Sequence, residues 1–408
     1  MKYYSLRQNC TPGVSYNTTL RTIIYIVCYA SYISIYIARL SLTMASPELK
    51  ATGLLSASQI GVLGSVFSVV YAIGRLCTGT FGDRVKPYIF ISLGLALSGI
   101  SNIFVGFFPP FAGIVFFWGL IAFAQSMLWG SVLCTVSAIY PLEVVQRQIA
   151  AMVTSVAMGN ILGIILGIRI LETYGLRWAF IIPGLLTLLF STASLVTIRK
   201  VPASSSLLSK PPMKIRTIFA DPEIRTVAVP AMFHGAIKDN ITLWMTLFFV
   251  DRFLLRLDSS AKYILLIPVF GLVGRMLYRY LYRLCRHQEH TVSQWAFVLC
   301  IPTSIVLCLN ISTPFSSMTG LGLMYAAVSI ANTSFLSIYP TRFLMHGNIA
   351  SVSGLMDFCT YLGAGISSIL YGVLIDSFGY EYMFLSWAMI SVASIFILER
   401  VKKKIYIR

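Results

Sequence analysis

Charge is scarce in this sequence, and negative charge is scarcer. Asp, Glu, Lys and Arg together make up 11% of the 408 residues, and only 14 residues are carboxylates. A soluble globular chain carries about 25% charged residues, so this chain falls well outside that class. The four histidines show no ligand spacing, and the eight cysteines (Cys10, Cys28, Cys77, Cys134, Cys285, Cys300, Cys308 and Cys359) form no C-x-x-C pair. Neither a metal site nor a disulfide framework is expected. No G-x-x-x-x-G-K-[ST] loop occurs, which argues against ATP drive. No cluster of nucleophile, base and metal ligands points to an enzyme, and no cofactor is expected.

Apolar residues fill the space that charge leaves. They make up 57% of the chain, with a mean hydropathy of +0.81, in runs about 20 residues long that suffice to cross a bilayer. A β-barrel shows short alternating segments instead. The sequence predicts an all-α polytopic membrane protein with twelve spans, at approximately 22–46, 58–82, 88–108, 111–140, 148–170, 177–198, 223–250, 261–284, 292–311, 316–340, 347–372 and 381–398. Most of the Lys and Arg behind the net charge of +17 then fall in the loops and ends of one side. That is the positive-inside pattern, and it accounts for the basic charge without nucleic acid. Both termini are expected on the cytoplasmic side of a bacterial inner membrane. The first 20 residues are mixed polar, and the apolar segment after Arg21 is too long for a signal peptide.

Arg199 to Pro222 is the longest non-apolar stretch, rich in Ser, Pro and Lys. It reads as a solvated linker and divides the chain into a bundle over 1–198, a linker over 199–222 and a second bundle over 223–408. The halves repeat. Gly74-Arg75-Leu76 matches Gly274-Arg275-Met276, Arg39 matches Lys238, and Tyr174-Gly175 to Phe180 is echoed by Phe378-Gly379 to Phe384, each at an offset near 200. Such duplication is common in transporters, whose sites lie near the midplane at the repeat interface.

Arg39 stands alone in the first apolar run, with no carboxylate before Glu48. A guanidinium at bilayer depth costs several kcal/mol or more and marks a functional site by default. The alternative is a snorkelling anchor near the interface. Lys238 sits mid-span in the second half, and its alternative is a local pair with Asp239, although adjacent helical residues do not face each other. Asp357 is a candidate coupling acid, or a counter-ion to Arg39 or Lys238. His234 is one turn before Lys238 on the same helical face, a candidate cavity residue or a core histidine. Tyr32 and Tyr36 share a face near Arg39. Trp129, Trp244, Asn160, Tyr325 and Asn332 complete the candidates, with core packing as the competing reading.

The second span ends in Gly79-Thr80-Phe81-Gly82-Asp83-Arg84. This resembles the G-x-x-x-D-R signature of the major facilitator superfamily, in the same loop. In that family Gly79, Gly82, Asp83 and Arg84 would form a conformational latch. Within it the chain looks most like the organophosphate:phosphate antiporter and sugar-phosphate permease group. The carriers of that resemblance are Arg39 with Pro47, Gln125-Ser126-Met127-Leu128-Trp129, Lys238 with Trp244, and Tyr361-Leu362-Gly363.

The resemblance implies two six-helix bundles that rock about a central cavity. It also implies a clasp of Arg39 and Lys238 on the phosphate of a small anionic metabolite, and a transporter that works as a monomer in the lipid bilayer. Three positions depart from the group: Lys238 replaces an arginine, Gly159 stands about where some members have a histidine, and Leu243 replaces a carboxylate. Two other readings stay open. One is a proton-coupled transporter of non-phosphorylated organic anions using Asp357. The other is a non-transporting sensor that keeps the fold.

Overall fold

The computed structural model describes residues 17–81, 85–199, 201, 221–309, 313–346 and 349–406. Twelve long helical elements follow one another: α1 Thr18–Ala51, α2 Ala57–Phe81, α3 Pro87–Val105, α4 Phe111–Ser126 continued as Leu128–Ile139, α5 Leu142–Tyr174 and α6 Trp178–Ile198 form the first six. The second six are α7 Pro222–Phe253, α8 Leu257–Ile264 continued as Leu266–Leu284, α9 Glu289–Cys308, α10 Pro314–Thr333, α11 Ile349–Phe378 and α12 Tyr380–Tyr406. Among the described residues, eleven helices are long and apolar enough to cross a membrane. The remaining one is α7, because Glu223, Arg225, Lys238, Asp239, Asp251 and Arg252 spread charge along it. The linker residues 202–220 lie outside the described residues.

The six-helix bundles are pseudo-symmetric, and α2 packs against α11 where they meet. Small residues make this possible. A Cβ on Gly61 would lie 2.4 Å from the Ser368 carbonyl oxygen, so the two backbones nearly touch, as small-residue helix contacts in membranes allow. The duplication also shows in the backbone. Gly175 and Gly379, which end α5 and separate α11 from α12, have φ of +82° and +91°. That conformation costs glycine nothing and an L-residue much more.

Two span ends and the interior of one span differ from expectation. The sequence places the end of the first span at Pro47, yet α1 runs through it to Ala51. Proline cannot donate to the carbonyl four residues back, and the Ser46 hydroxyl donates to that oxygen, on Thr43, at 2.9 Å. The fourth span breaks at Met127, beside Gln125, whose Nε2 donates to Ile35 O at 3.3 Å and Ser98 Oγ at 3.2 Å. The tenth span ends in a π turn over Ser334–Ile338 and a 3-10 stretch over Tyr339–His346. A π turn leaves carbonyls without helical partners, and Ser353 Oγ donates to Leu336 O at 2.8 Å.

Candidate functional site

A cavity of about 690 Å³ lies between the halves. Candidates from both halves line it: Tyr32, Tyr36, Arg39, Trp129 and Asn160 from the first half, and Lys238, Asp239 and Asp357 from the second. Tyr325 and Asn332 line it as well.

Arg39 is in the cavity wall. Its guanidinium carbon stands 4.4 Å from the Phe67 ring centroid, 5.8 Å from Tyr71 and 6.0 Å from Tyr361. Desolvated cation–π contacts are worth up to about 2 kcal/mol, and they leave the in-plane N–H donors free for a ligand. Lys238 Nζ is 5.6 Å from the same Tyr361 ring, so Tyr361 on α11 touches the cation of each half. Tyr32 packs on Trp129 at 4.9 Å and on Tyr36 at 5.6 Å, forming an aromatic wall beside Arg39. The Asn160 amide donates to Val156 O at 3.0 Å.

One carboxylate pairs as the sequence allows, and the other pairs elsewhere. Lys238 Nζ is 3.3 Å from Asp239 Oδ1. The flexible four-carbon stem of lysine lets neighbours meet although their Cα–Cβ vectors diverge. The sequence suggests Asp357 as a counter-ion to Arg39 or Lys238; the cation within 4 Å of it is instead Arg75, with Nε 3.6 Å from Oδ2. This pair joins α2 of one half to α11 of the other.

Two candidates fall outside the cavity. His234 is fully buried, edge-on to Phe335 at 6.1 Å. It shares the face of Lys238 only by one-turn spacing. Close approach of α7 to α11 shuts it in: a Cβ on the next residue, Gly235, would lie 2.0 Å from the Thr360 carbonyl oxygen. Trp244 is buried too, its Nε1 donating to Asn240 Oδ1 at 3.0 Å, and Asn240 in turn bonds Ser367 and Ser368 of α11. Of the latch residues, Gly79 lies in the last turn of α2, and Gly82, Asp83 and Arg84 lie outside the described residues.

Arg75 and Arg275 line the cavity, whereas in the sequence they stand out only as markers of the duplication. The rule that makes Arg39 a candidate applies equally to them, since both interrupt apolar helices. Tyr71, Phe67 and Tyr361 carry no such signal, because aromatics at helical spacing are usually core.

At Gly159, a Cβ would lie 2.6 Å from Tyr36 Cβ and 3.3 Å from Ile33 Cα. Helix α5 therefore has no room for a histidine there without a backbone shift. The cavity takes its positive charge from elsewhere: four cations and two carboxylates leave its wall a net charge of +2.

The halves are bonded to each other at the end of the molecule where α1 leads into α2. Lys50 on α1 meets Asp251 on α7 at 2.6 Å, and Tyr380 donates to the same carboxylate at 3.1 Å. Asp376 on α11 caps the start of α2, accepting from Ala57 N at 3.2 Å, Ser58 N at 2.7 Å and Ser58 Oγ at 2.6 Å. The cavity wall reaches the other way, to Ser337 and Ser353 near the start of α11.

Comparison with known proteins adds the following. The sequence model described as Major Facilitator Superfamily matches residues 26–367. A "Probable hexose phosphate transport protein" of Chlamydia trachomatis serovar D is 29% identical over 187 residues, 45% of this chain and 40% of that protein. The chain thus aligns with less than half the length of this relative. A "Phosphoglycerate transporter protein" of Salmonella typhimurium strain LT2 is 25% identical over 86% of this chain and 82% of its own. The solved structure of the nucleoside transporter NupG superposes with a TM-score of 0.77 at 12% identity, covering 95% of this chain and 100% of that one. At that identity the likeness concerns the fold alone.

Proposed function

The chain belongs to the Major Facilitator Superfamily, and from that premise we propose that it is a secondary active transporter of a small phosphorylated anion, working by alternating access. The observation that carries this reading is the presence of one cation from each repeat, Arg39 and Lys238, in the wall of a single cavity between the halves. An arginine binds phosphate bidentately and a lysine acts as a point charge. Two cations facing each other across a closing cavity repel, and an anion between them removes that penalty. Substrate thereby favours the movement of the halves.

The relatives named for hexose phosphate and phosphoglycerate support a phosphate-bearing substrate. The basic loops support an inner-membrane placement with the linker in the cytoplasm, and on that placement the outer end is the closed one. The transporter works as a monomer, with the bilayer and the substrate as its partners.

The test is counterflow in proteoliposomes. Vesicles loaded with phosphate are expected to take up labelled phosphate or a sugar phosphate. Arg39→Ala and Lys238→Ala are each expected to lower uptake at least ~100-fold, the order that losing a desolvated charge-assisted contact of a few kcal/mol implies, with abundance and insertion unchanged. Normal uptake in either variant would remove the clasp. Uptake that ignores internal phosphate and follows a proton gradient would instead assign a non-phosphorylated organic anion.

A further inference from the structure

The four cavity cations are not equivalent. Lys238 lies against Asp239, and Arg75 against Asp357. Arg39 and Arg275 have no carboxylate within 4 Å among the described residues. Each comes from a different half, Arg39 from α1 and Arg275 from α8. Arg39 lies over the rings of Phe67, Tyr71 and Tyr361. Arg275 is half-buried, and its Nε donates to Gly271 O, one turn back on its own helix, at 3.3 Å. That bond fixes the guanidinium along α8 and leaves its two terminal amino groups for the cavity. The space beside it is shaped by Tyr325, since a Cβ on Gly271 would lie 2.5 Å from that ring. Tyr36 lines the same cavity as Arg39 and Arg275.

We propose that Arg275 is a substrate-binding residue: with Arg39 it forms a pair of carboxylate-free guanidiniums that selects a dianion, such as a phosphate monoester, over a monoanion. The proposal rests on the cavity being an anion site and extends that reading. A doubly charged phosphoryl group offers oxygens for two arginine forks, which a singly charged diester does not match in charge. The replacement of arginine by lysine on α7 then leaves the second half with its guanidinium supplied one helix later. Lys238, tied to Asp239, remains a point charge beside Tyr361.

The experiment measures binding of methyl phosphate, a dianion at neutral pH, and dimethyl phosphate, a monoanion, to the purified full chain in detergent, by calorimetry at constant ionic strength. Wild type is expected to favour methyl phosphate at least ~30-fold, and Arg275→Gln to lose at least ~10-fold in methyl phosphate affinity and to narrow the preference to about threefold or less, as loss of one charge-assisted fork implies. Arg275→Lys keeps the charge and should recover part of both. Arg279→Gln, exposed one turn further along α8, should bind as wild type does, which separates the effect from a general loss of basic charge. A merely structural Arg275 would change both ligands alike, or neither, and either outcome overturns the proposal. If wild type binds neither ligand, the anion-site reading falls and takes this one with it. If wild type binds methyl phosphate and Arg275→Gln binds it equally well, only the role of Arg275 falls.

Discussion

At the scale of single residues, environment decides what a charge does. Arg39, Arg75, Lys238 and Arg275 all lie in one wall, yet two of them meet carboxylates and two do not. The Arg75–Asp357 pair bridges the halves, so removing the acid leaves Arg75 uncompensated in the wall. Asp357→Asn is therefore expected to raise affinity for dianions several-fold while slowing exchange, because the anion is held more tightly in both orientations; vesicle exchange rates alongside calorimetry check this. Gly159 offers a second test at this scale. Overpacking typically costs about 1–3 kcal/mol, and a Cβ at Gly159 meets Tyr36 Cβ at 2.6 Å. Gly159→Ala is expected to lower the melting temperature of the purified protein by several degrees and to weaken binding, since Tyr36 shifts with the helix.

At the scale of elements, the helices show how a membrane protein satisfies backbone groups that water does not reach. Proline inside α1 leaves Thr43 O without its helical donor, and Ser46 provides one at 2.9 Å. Beyond it, Lys50 on the last turn of α1 meets Asp251 in the other half. Ser46→Ala is expected to cost about 1 kcal/mol. The readout is a lower melting temperature together with loss of the effect of Lys50→Ala, because the two substitutions disturb the same helix end. The break in α4 at Met127 serves a similar end, starting a new helical segment with Trp129 against Tyr32. Sequence periodicity carries no trace of that break, because no charged residue and no proline falls between Phe111 and Ile139.

At the scale of the whole molecule, the halves are tied at one end and enclose a cavity toward the other. The ties join Lys50 with Asp251, and Asp376 with the first turn of α2. A carboxylate cap of this kind is worth about 1 kcal/mol, which corresponds to roughly a fivefold change in a two-state population. Asp376→Asn combined with Asp251→Asn is expected to populate a state open at this end. Spin labels at Thr52 and Phe378, both exposed and in different halves, should report a longer distance component in that variant. An unchanged distribution would show that helix packing of α2 on α11 alone sets the closure.

The sequence by itself determined the helical nature of the spans and displayed the duplication, and it predicted twelve spans where eleven helices among the described residues are long and apolar enough to cross a membrane. Each of these follows from local composition: apolar run length matches bilayer thickness, and charge too costly for the bilayer collects in loops. It also singled out Arg39 and Lys238, because a buried cation is conspicuous in an apolar run. Only the tertiary structure decided which charges share a wall and which neutralise one another. His234 and Lys238 are one turn apart, yet one is sealed against Phe335 and the other faces the cavity. Arg75 and Asp357 are separated by most of the chain and meet at 3.6 Å. Such pairings depend on how closely α7 and α2 each approach α11, which is set by small residues on both partners and is invisible to the periodicity of any single helix.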